Sequence, residues 1–592
     1  MQNLPSHLKK YVVKQHYEKY SPVDQAVWRF ILRQLKSFLT QHAHTSYLEG
    51  LEKTGIEVER IPKISEISEK LSKFGWCAIP VSGFIPPAAF MELQSLGVLP
   101  VASDIRSLDH LLYTPAPDIV HEAAGHAPIL INSEFAAYLK KYAQVAKKSI
   151  ISSQDLDMYE AIRHLSDLKE NSDTTELEIT KAEKKLADVS SSITNISEAS
   201  LLSRMNWWTA EYGLIGPLDN PKLFGAGLLS SVGESKWCLS EKVKKIPLTL
   251  DCVKQGYDIT EPQPQLFVTP NFQHLSAVLE EFANQMAYKM GGLKGLQKAI
   301  EAKSVNTAQL DSGLQISGEI TEAIVSATKE LCYLRLTGPS QLAFADQEIP
   351  GHHRRYHSHG FGTPVGFLKE FPNTSPCDLS TEQWATLGIE FASTDSKNSN
   401  IVILEYQSGV IITGIVKSRY LQNGKTLILT LLDARAEFDN RVLFEPSWGI
   451  FDIALGSQVT SVFGGAADRE MYGDSEDFIV AQIPAKKYDQ ATLHRFDIYQ
   501  KVRDLREQNG SSQKLLPALT SLFELQQKDF PSDWLLVLEM LEIAINKKLD
   551  INFQNTLKNE IHNLQIKYPE KAETIQDGLL LALKEAPSSV IP

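Results

Sequence analysis

The sequence predicts a multidomain protein: a mainly α-helical domain with small β elements that carries the candidate catalytic residues, then a β-rich domain, then a helical C-terminal region. Three observations predict this. At 592 residues the chain is longer than one hydrophobic core ordinarily serves, so two or more domains are expected. Apolar residues recur at helical spacing near the N-terminus, turn to strand-like runs beyond about residue 380, and return to helical spacing from about residue 488.

The elements follow in order. Within residues 26–39, Trp28, Ile31, Leu32, Leu35 and Leu39 form one apolar helical stripe. Residues 80–100 read as loop with at most short helices, because their prolines interrupt any regular ladder. From about 154 to 200 the composition becomes polar and helix-forming, with a break at Asn171-Ser-Asp-Thr-Thr, which predicts a solvated, protruding helical hairpin. Residues 1–300 are thus read as the catalytic domain with the hairpin inserted, and 301–379 as a linker or helical connection. Residues 380–485 form the β-rich accessory domain, with strands at 401–406, 409–416 and 426–432 between Gly and Asn-Gly turns. Residues 486–592 form the helical end, expected to pack on itself or on the β domain.

A net charge of -13 and a pI near 5.7 give no electrostatic footprint for nucleic acid or an anionic membrane surface. The five cysteines are scattered and contain no Cys-x-x-Cys pair, which argues against a disulfide framework and a zinc ribbon. With no apolar leader or spanning segment in the sequence, a cytoplasmic protein is expected.

The chemistry concentrates at His121-Glu-Ala-Ala-Gly-His126. Two imidazoles beside a carboxylate suit a divalent metal, since neutral imidazole ligates iron and zinc well. In the zinc-hydrolase motif the histidines are four apart and share a helix face; here they are five apart, about 140° around an ideal α-helix. That spacing weakens the hydrolase reading, and the pair converges only if the backbone is irregular. Gly125 and Pro128 permit that. The best third ligand is Glu211, an acid in the aromatic run Asn206-Trp-Trp-Thr-Ala-Glu.

Residues from about 17 to 293 resemble the biopterin-dependent aromatic amino acid hydroxylases. The resemblance rests on the runs 113–128, 207–214 and 224–234, extended by 237–242 and 260–264. It implies that His121, His126 and Glu211 hold Fe(II), and that a tetrahydropterin (tetrahydrobiopterin or similar) and dioxygen react there to hydroxylate an aromatic ring. It further implies that Arg106 binds the substrate carboxylate, and that Thr114, Trp207, Gly227 and Ser230 surround the amino acid. Gly83, Ile85, Phe90 and Glu122 then face the pterin, with Phe90 stacked on its ring.

Tryptophan at 207 and the apolar Ile259, where an acid accompanies tyrosine preference, favour phenylalanine as substrate. The alternatives are tyrosine or tryptophan hydroxylation, or a non-catalytic sensor of aromatic amino acids. Pro87, Pro100, Asn206 and Tyr212 depart from residues usual in the animal enzymes, and the hairpin over 154–200 is an insertion. No N-terminal regulatory domain is expected before Tyr17. The resemblance stops near residue 300. A homo-oligomer contact or a protein partner would use the insertion or the C-terminal half, and the tract from His352 to His359 reads as a polar loop.

Overall fold

The first long helix, Pro22–His42, begins at a capping box: the Asp24 N–H donates to Ser21 Oγ at 3.1 Å, and the Ser21 N–H donates to the Asp24 carboxylate at 2.7 Å. The predicted stripe from Trp28 to Leu39 is buried along it. The computed structural model describes residues 4–83, 85–111, 118–170, 174–259, 261–391, 401–473, 488–508 and 512–584.

Residues 80–100 are more regular than their prolines suggest. Strands Cys77–Val81 and Val98–Ala102 pair in parallel, with helix Pro87–Ser95 between them. Pro80 and Pro100 are tolerated because each faces away from its partner strand, where the ladder needs no N–H; on that outer edge the Pro80 carbonyl still accepts from the Val13 N–H at 3.0 Å. Pro87 occupies the first helical turn, where it also has no bond to lose.

Helices Ser153–Glu170 and Glu176–Ser192 form the expected hairpin. A small sheet, ordered Lys222–Leu223, Leu214–Ile215, Gln265–Thr269 and Lys244–Pro247, closes the side of the helical domain.

The linker expected over 301–379 instead carries five strands. Val305–Leu310, Leu314–Val325 and Leu331–Phe344 run antiparallel in one sheet, flanked by Val459–Gly464 on one side and by Gln347–Glu348 and Gly360–Pro364 on the other. Their apolar pattern is blurred because Asn306, Thr307, Gln315, Ser317, Ser340 and Gln341 are all buried. Side-chain pairing makes that tolerable, as between Thr307 and Ser317 at 2.9 Å.

The strands expected farther on are present as Ile401–Glu405, Ile411–Gln422 and Lys425–Phe438. With Arg441–Phe444 and Phe451–Ala454 they make a second antiparallel sheet.

The C-terminal helices, among them Gln490–Glu507, Trp534–Asn546 and Ala572–Lys584, pack on one another, the first of the two arrangements expected, rather than on the β region. They share one continuous core with the N-terminal helical domain, and Phe30 meets Trp534 edge to face at 5.2 Å. Beside that contact Arg29 forks onto Glu539 at 3.0 and 2.7 Å, and Arg506 reaches Glu539 and Glu542 at 3.0 and 2.9 Å. Burial alone would raise the Glu539 carboxyl, but Arg29 and Arg506 hold it down to about 2. The apolar stripe that makes Trp534–Asn546 helical is buried nearly all round, which is why it needs the first helix as a partner. No helix among the described residues is long and apolar enough to cross a membrane.

Candidate metal centre

The awkward spacing of His121 and His126 is resolved by the backbone. Val120–His126 is a π-helix, whose wider turn places residues five apart over one another. Glu211 ends a second π-helix, Trp207–Glu211. Close packing holds these segments together: a Cβ on Gly125 would lie 2.6 Å from the Ala226 carbonyl, one on Gly225 2.4 Å from the Glu211 carbonyl, and one on Gly227 2.8 Å from the Tyr212 ring. Gly227 therefore works as a spacer that lets helix Ala226–Ser230 approach the ligand-bearing backbone.

Three donors converge. His121 Nε2 and His126 Nε2 are 3.2 Å apart, and they lie 3.3 Å from Glu211 Oε2 and Oε1 respectively. An ion about 2.0–2.2 Å from each donor would sit comfortably among them. Burial would raise the Glu211 carboxyl, but His126 and His121 outweigh it and hold the group well below the carboxylate range. Asn206 Nδ2 donates to Glu211 Oε1 at 3.4 Å.

Ser230 sits behind the first ligand. Its hydroxyl donates to the Ala226 carbonyl at 2.7 Å, which leaves its oxygen to accept the proton on His121 Nδ1 at 3.0 Å. That bond keeps His121 Nε2 bare and facing the other donors. Ser230, which the resemblance puts beside the substrate, thus also lies against a ligand imidazole.

Arg106 is 5% exposed and already engaged. Its Nε and Nη2 donate to Asp118 at 2.7 and 2.8 Å, and Asp118 also accepts from the His121 N–H at 3.0 Å. Asp118 was not anticipated, although its place three residues before His121 is a capping signal. Burial opposes its charge, but Arg106 keeps its carboxyl below the usual range. The guanidinium edge not used by Asp118 is the one left for another carboxylate.

Trp207 stacks on Tyr257 at 4.3 Å and on Tyr212 at 4.5 Å, so the expected aromatic wall is a group of three rings. Glu122 is buried, and burial pushes its carboxyl up to about 8 against the pull of His126. Among the described residues, Glu122 Oε2, His126 Nδ1 and Trp207 Nε1 are buried without hydrogen-bond partners in the protein. Gly83, at φ 57°, and Ile85 flank the start of helix Pro87–Ser95, on which Phe90 is half-buried. Ile259 is 36% exposed in a turn beyond Tyr257. Thr114, with Tyr113, Pro115 and Pro117, lies outside the described residues.

Two imidazoles and one carboxylate on one side of a point, with the other side open, is the arrangement of mononuclear non-haem iron oxygenases. The family model for biopterin-dependent aromatic amino acid hydroxylases matches residues 10–158 and 178–302. The phenylalanine-4-hydroxylase of Mesorhizobium japonicum is 31% identical over 269 residues, covering 45% of this chain and 81% of that protein. That of Pseudomonas aeruginosa is 29% identical over 265 residues, covering 44% and 84%. A solved structure of Chromobacterium violaceum phenylalanine hydroxylase with bound iron(III) and 7,8-dihydrobiopterin shares 26% identity, covers 47% of this chain and 86% of its own, and gives a TM-score of 0.37.

The chain belongs to the biopterin-dependent aromatic amino acid hydroxylases. The family match resumes at residue 178, inside the second hairpin helix, so the unmatched segment is shorter than the insertion expected over 154–200. Residues beyond 302 lie outside the match.

Proposed function

We propose that the protein converts phenylalanine to tyrosine, using Fe(II) held by His121, His126 and Glu211 together with a tetrahydropterin. The observation that carries this reading is the convergence of the two Nε2 atoms and the Glu211 carboxylate within 3.3 Å of one another. Relatives named phenylalanine-4-hydroxylase support the choice of substrate. Iron with reduced pterin supplies the dioxygen chemistry that no side chain can perform.

The chain's own residues bind, orient and exclude. Ser230 fixes the His121 ring, and Asn206 steadies Glu211. Arg106, immobilised by Asp118, offers its remaining edge to the amino-acid carboxylate. Trp207 and its tyrosine neighbours, with the close backbone at Gly227, bound the aromatic ring. The apolar Ile259 gives a tyrosine hydroxyl no partner. Phe90, Gly83 and Ile85 hold the pterin, and Glu122, whose Oε2 has no hydrogen-bond partner in the protein, faces it. Cytoplasmic residence fits the five free thiols.

The test is aerobic incubation of the full chain with Fe(II), tetrahydropterin and phenylalanine, with tyrosine measured by chromatography. Tyrosine should form with the wild type and be lost in His126→Ala. No product from phenylalanine would overturn the assignment, and product only from tyrosine or tryptophan would replace the substrate.

A further inference from the structure

The tract from His352 to His359 is the loop its composition suggests, but two of its histidines converge on a buried carboxylate. His352 Nδ1 lies 3.1 Å from His357 Nε2, and a carboxylate oxygen of Asp452 comes within 4.8 Å of ligand atoms on both rings. His357 is 8% exposed and Asp452 5%, so the cluster is largely withdrawn from water.

The backbone holds these groups in place. The Leu342 N–H donates to the His352 carbonyl at 3.0 Å, and the Ser340 N–H to the His357 carbonyl at 3.0 Å. Both acceptors are thereby clamped to strand Leu331–Phe344 of the first sheet. Asp452 comes from the second sheet, on strand Phe451–Ala454, directly opposite Thr430. Thr430 Oγ1 donates to Asp452 Oδ1 at 2.7 Å and orients the carboxylate, while the Phe361 ring packs edge to face against His357 at 5.1 Å. An oriented carboxylate and ring-packed imidazoles are the supporting shell that metal ligands need.

We propose that His352, His357 and Asp452 bind a divalent transition-metal ion of the zinc or iron class, at a site separate from the His121 centre. Two neutral imidazoles and one carboxylate suit that class better than calcium or magnesium, which prefer all-oxygen shells. A buried carboxylate also calls for compensating charge, which hydroxyl donors do not supply and a divalent ion does. Three protein ligands leave one position of a tetrahedral shell for water or a further donor. Because the histidines come from a loop within the first sheet and Asp452 from the second, the ion would staple that loop to a strand of the second sheet, and metal binding would be coupled to the folding of this β region.

Zinc(II) alone is the probe. Full-length protein is stripped with chelator, dialysed against buffered zinc(II), and its metal content counted by mass spectrometry. The wild type should retain about two equivalents per chain, and both His352→Gln and Asp452→Asn about one. Asp452→Asn keeps the side-chain volume and an acceptor for Thr430, so it reads the site even where the histidine variant folds poorly. One equivalent in the wild type, or two in both variants, would overturn the proposal. The readout does not depend on hydroxylation.

Discussion

Each half of the molecule holds a two-histidine, one-carboxylate cluster built on a five-residue histidine spacing, yet the two backbones are unlike. In the N-terminal half a π-helix winds His121 over His126, and Glu211 arrives on a second π-helix. In the C-terminal half the spacing sits in a loop hydrogen-bonded to a strand, and Asp452 arrives from another sheet. The surroundings differ as well. Around the first cluster lie Arg106, Glu122 and the Trp207 ring group, the residues proposed to meet the amino acid and the cofactor; around the second lie Thr430, Tyr356 and Phe361, which pack on or hydrogen-bond its ligands. Donor spacing does not decide what a site does. The backbone decides whether donors converge, and the neighbours decide whether anything besides an ion can bind.

The largest effect separates the clusters outright. His126→Ala should lower tyrosine formation by several kcal/mol of barrier, about 10³-fold or more, while His357→Ala should leave the rate per folded molecule within about twofold. Steady-state rates on the two purified variants check this. A comparable loss in both would mean that the clusters belong to one machine.

The next largest tests whether the halves are energetically separate. Arg29 and Glu539 are 2% and 4% exposed in their side chains, and they join the first helix to the C-terminal helices. Glu539→Gln leaves buried arginines without their countercharge and should cost about 3–5 kcal/mol. A urea transition followed by tryptophan fluorescence reads it. The Glu539 carboxyl is held below its unfolded range, so its contribution is complete above about pH 4.5 and lost as pH falls toward 2. The gap between wild type and variant should therefore narrow in acid. A gap that widened there would assign the stabilisation to other groups.

Much of the first cluster was legible because its chemistry is local. His121, His126 and Glu211 stand in distinctive runs, and the five-residue spacing pointed to an irregular backbone, though not to a π-helix. Asp118 and Tyr257 were missed: their roles depend on partners, Arg106 and Trp207, that only the fold brings alongside. The second cluster was read as loop because Asp452 lies nearly a hundred residues beyond His357 and on another sheet. Strand runs such as 426–432 were visible from their apolar content, whereas Val305–Leu310 and Leu314–Val325 hid behind buried polar residues. The docking of the C-terminal helices on the first helix left no mark in periodicity, which shows an apolar face but not what covers it.

Ser230 sharpens the account of the first cluster. If it acts through His121, Ser230→Ala should weaken iron binding by about 10–100-fold, read by chelator competition, with little change in the KM for phenylalanine. A raised KM with unchanged iron affinity would return Ser230 to the substrate pocket. Thr430→Val is the matching change at the second cluster and should weaken zinc there without touching iron retention.

The smallest effect concerns the link between the halves nearest the proposed pterin loop. Arg469, just beyond the strand Val459–Gly464, donates to Glu92 at 3.4 Å and to the Lys147 carbonyl at 2.5 Å, and Glu92 also meets His7 at 3.1 Å. Glu92 is on the same helix as Phe90, so the β region buttresses the element expected to stack on the pterin. The pair is partly exposed, which limits its worth to about 0.2–1 kcal/mol. Arg469→Ala should accordingly raise the pterin KM by up to about fivefold and leave the phenylalanine KM alone. Equal rises in both would indicate a general loosening of the domain, and no change in either would mean that the C-terminal half supports the fold without reaching the cofactor.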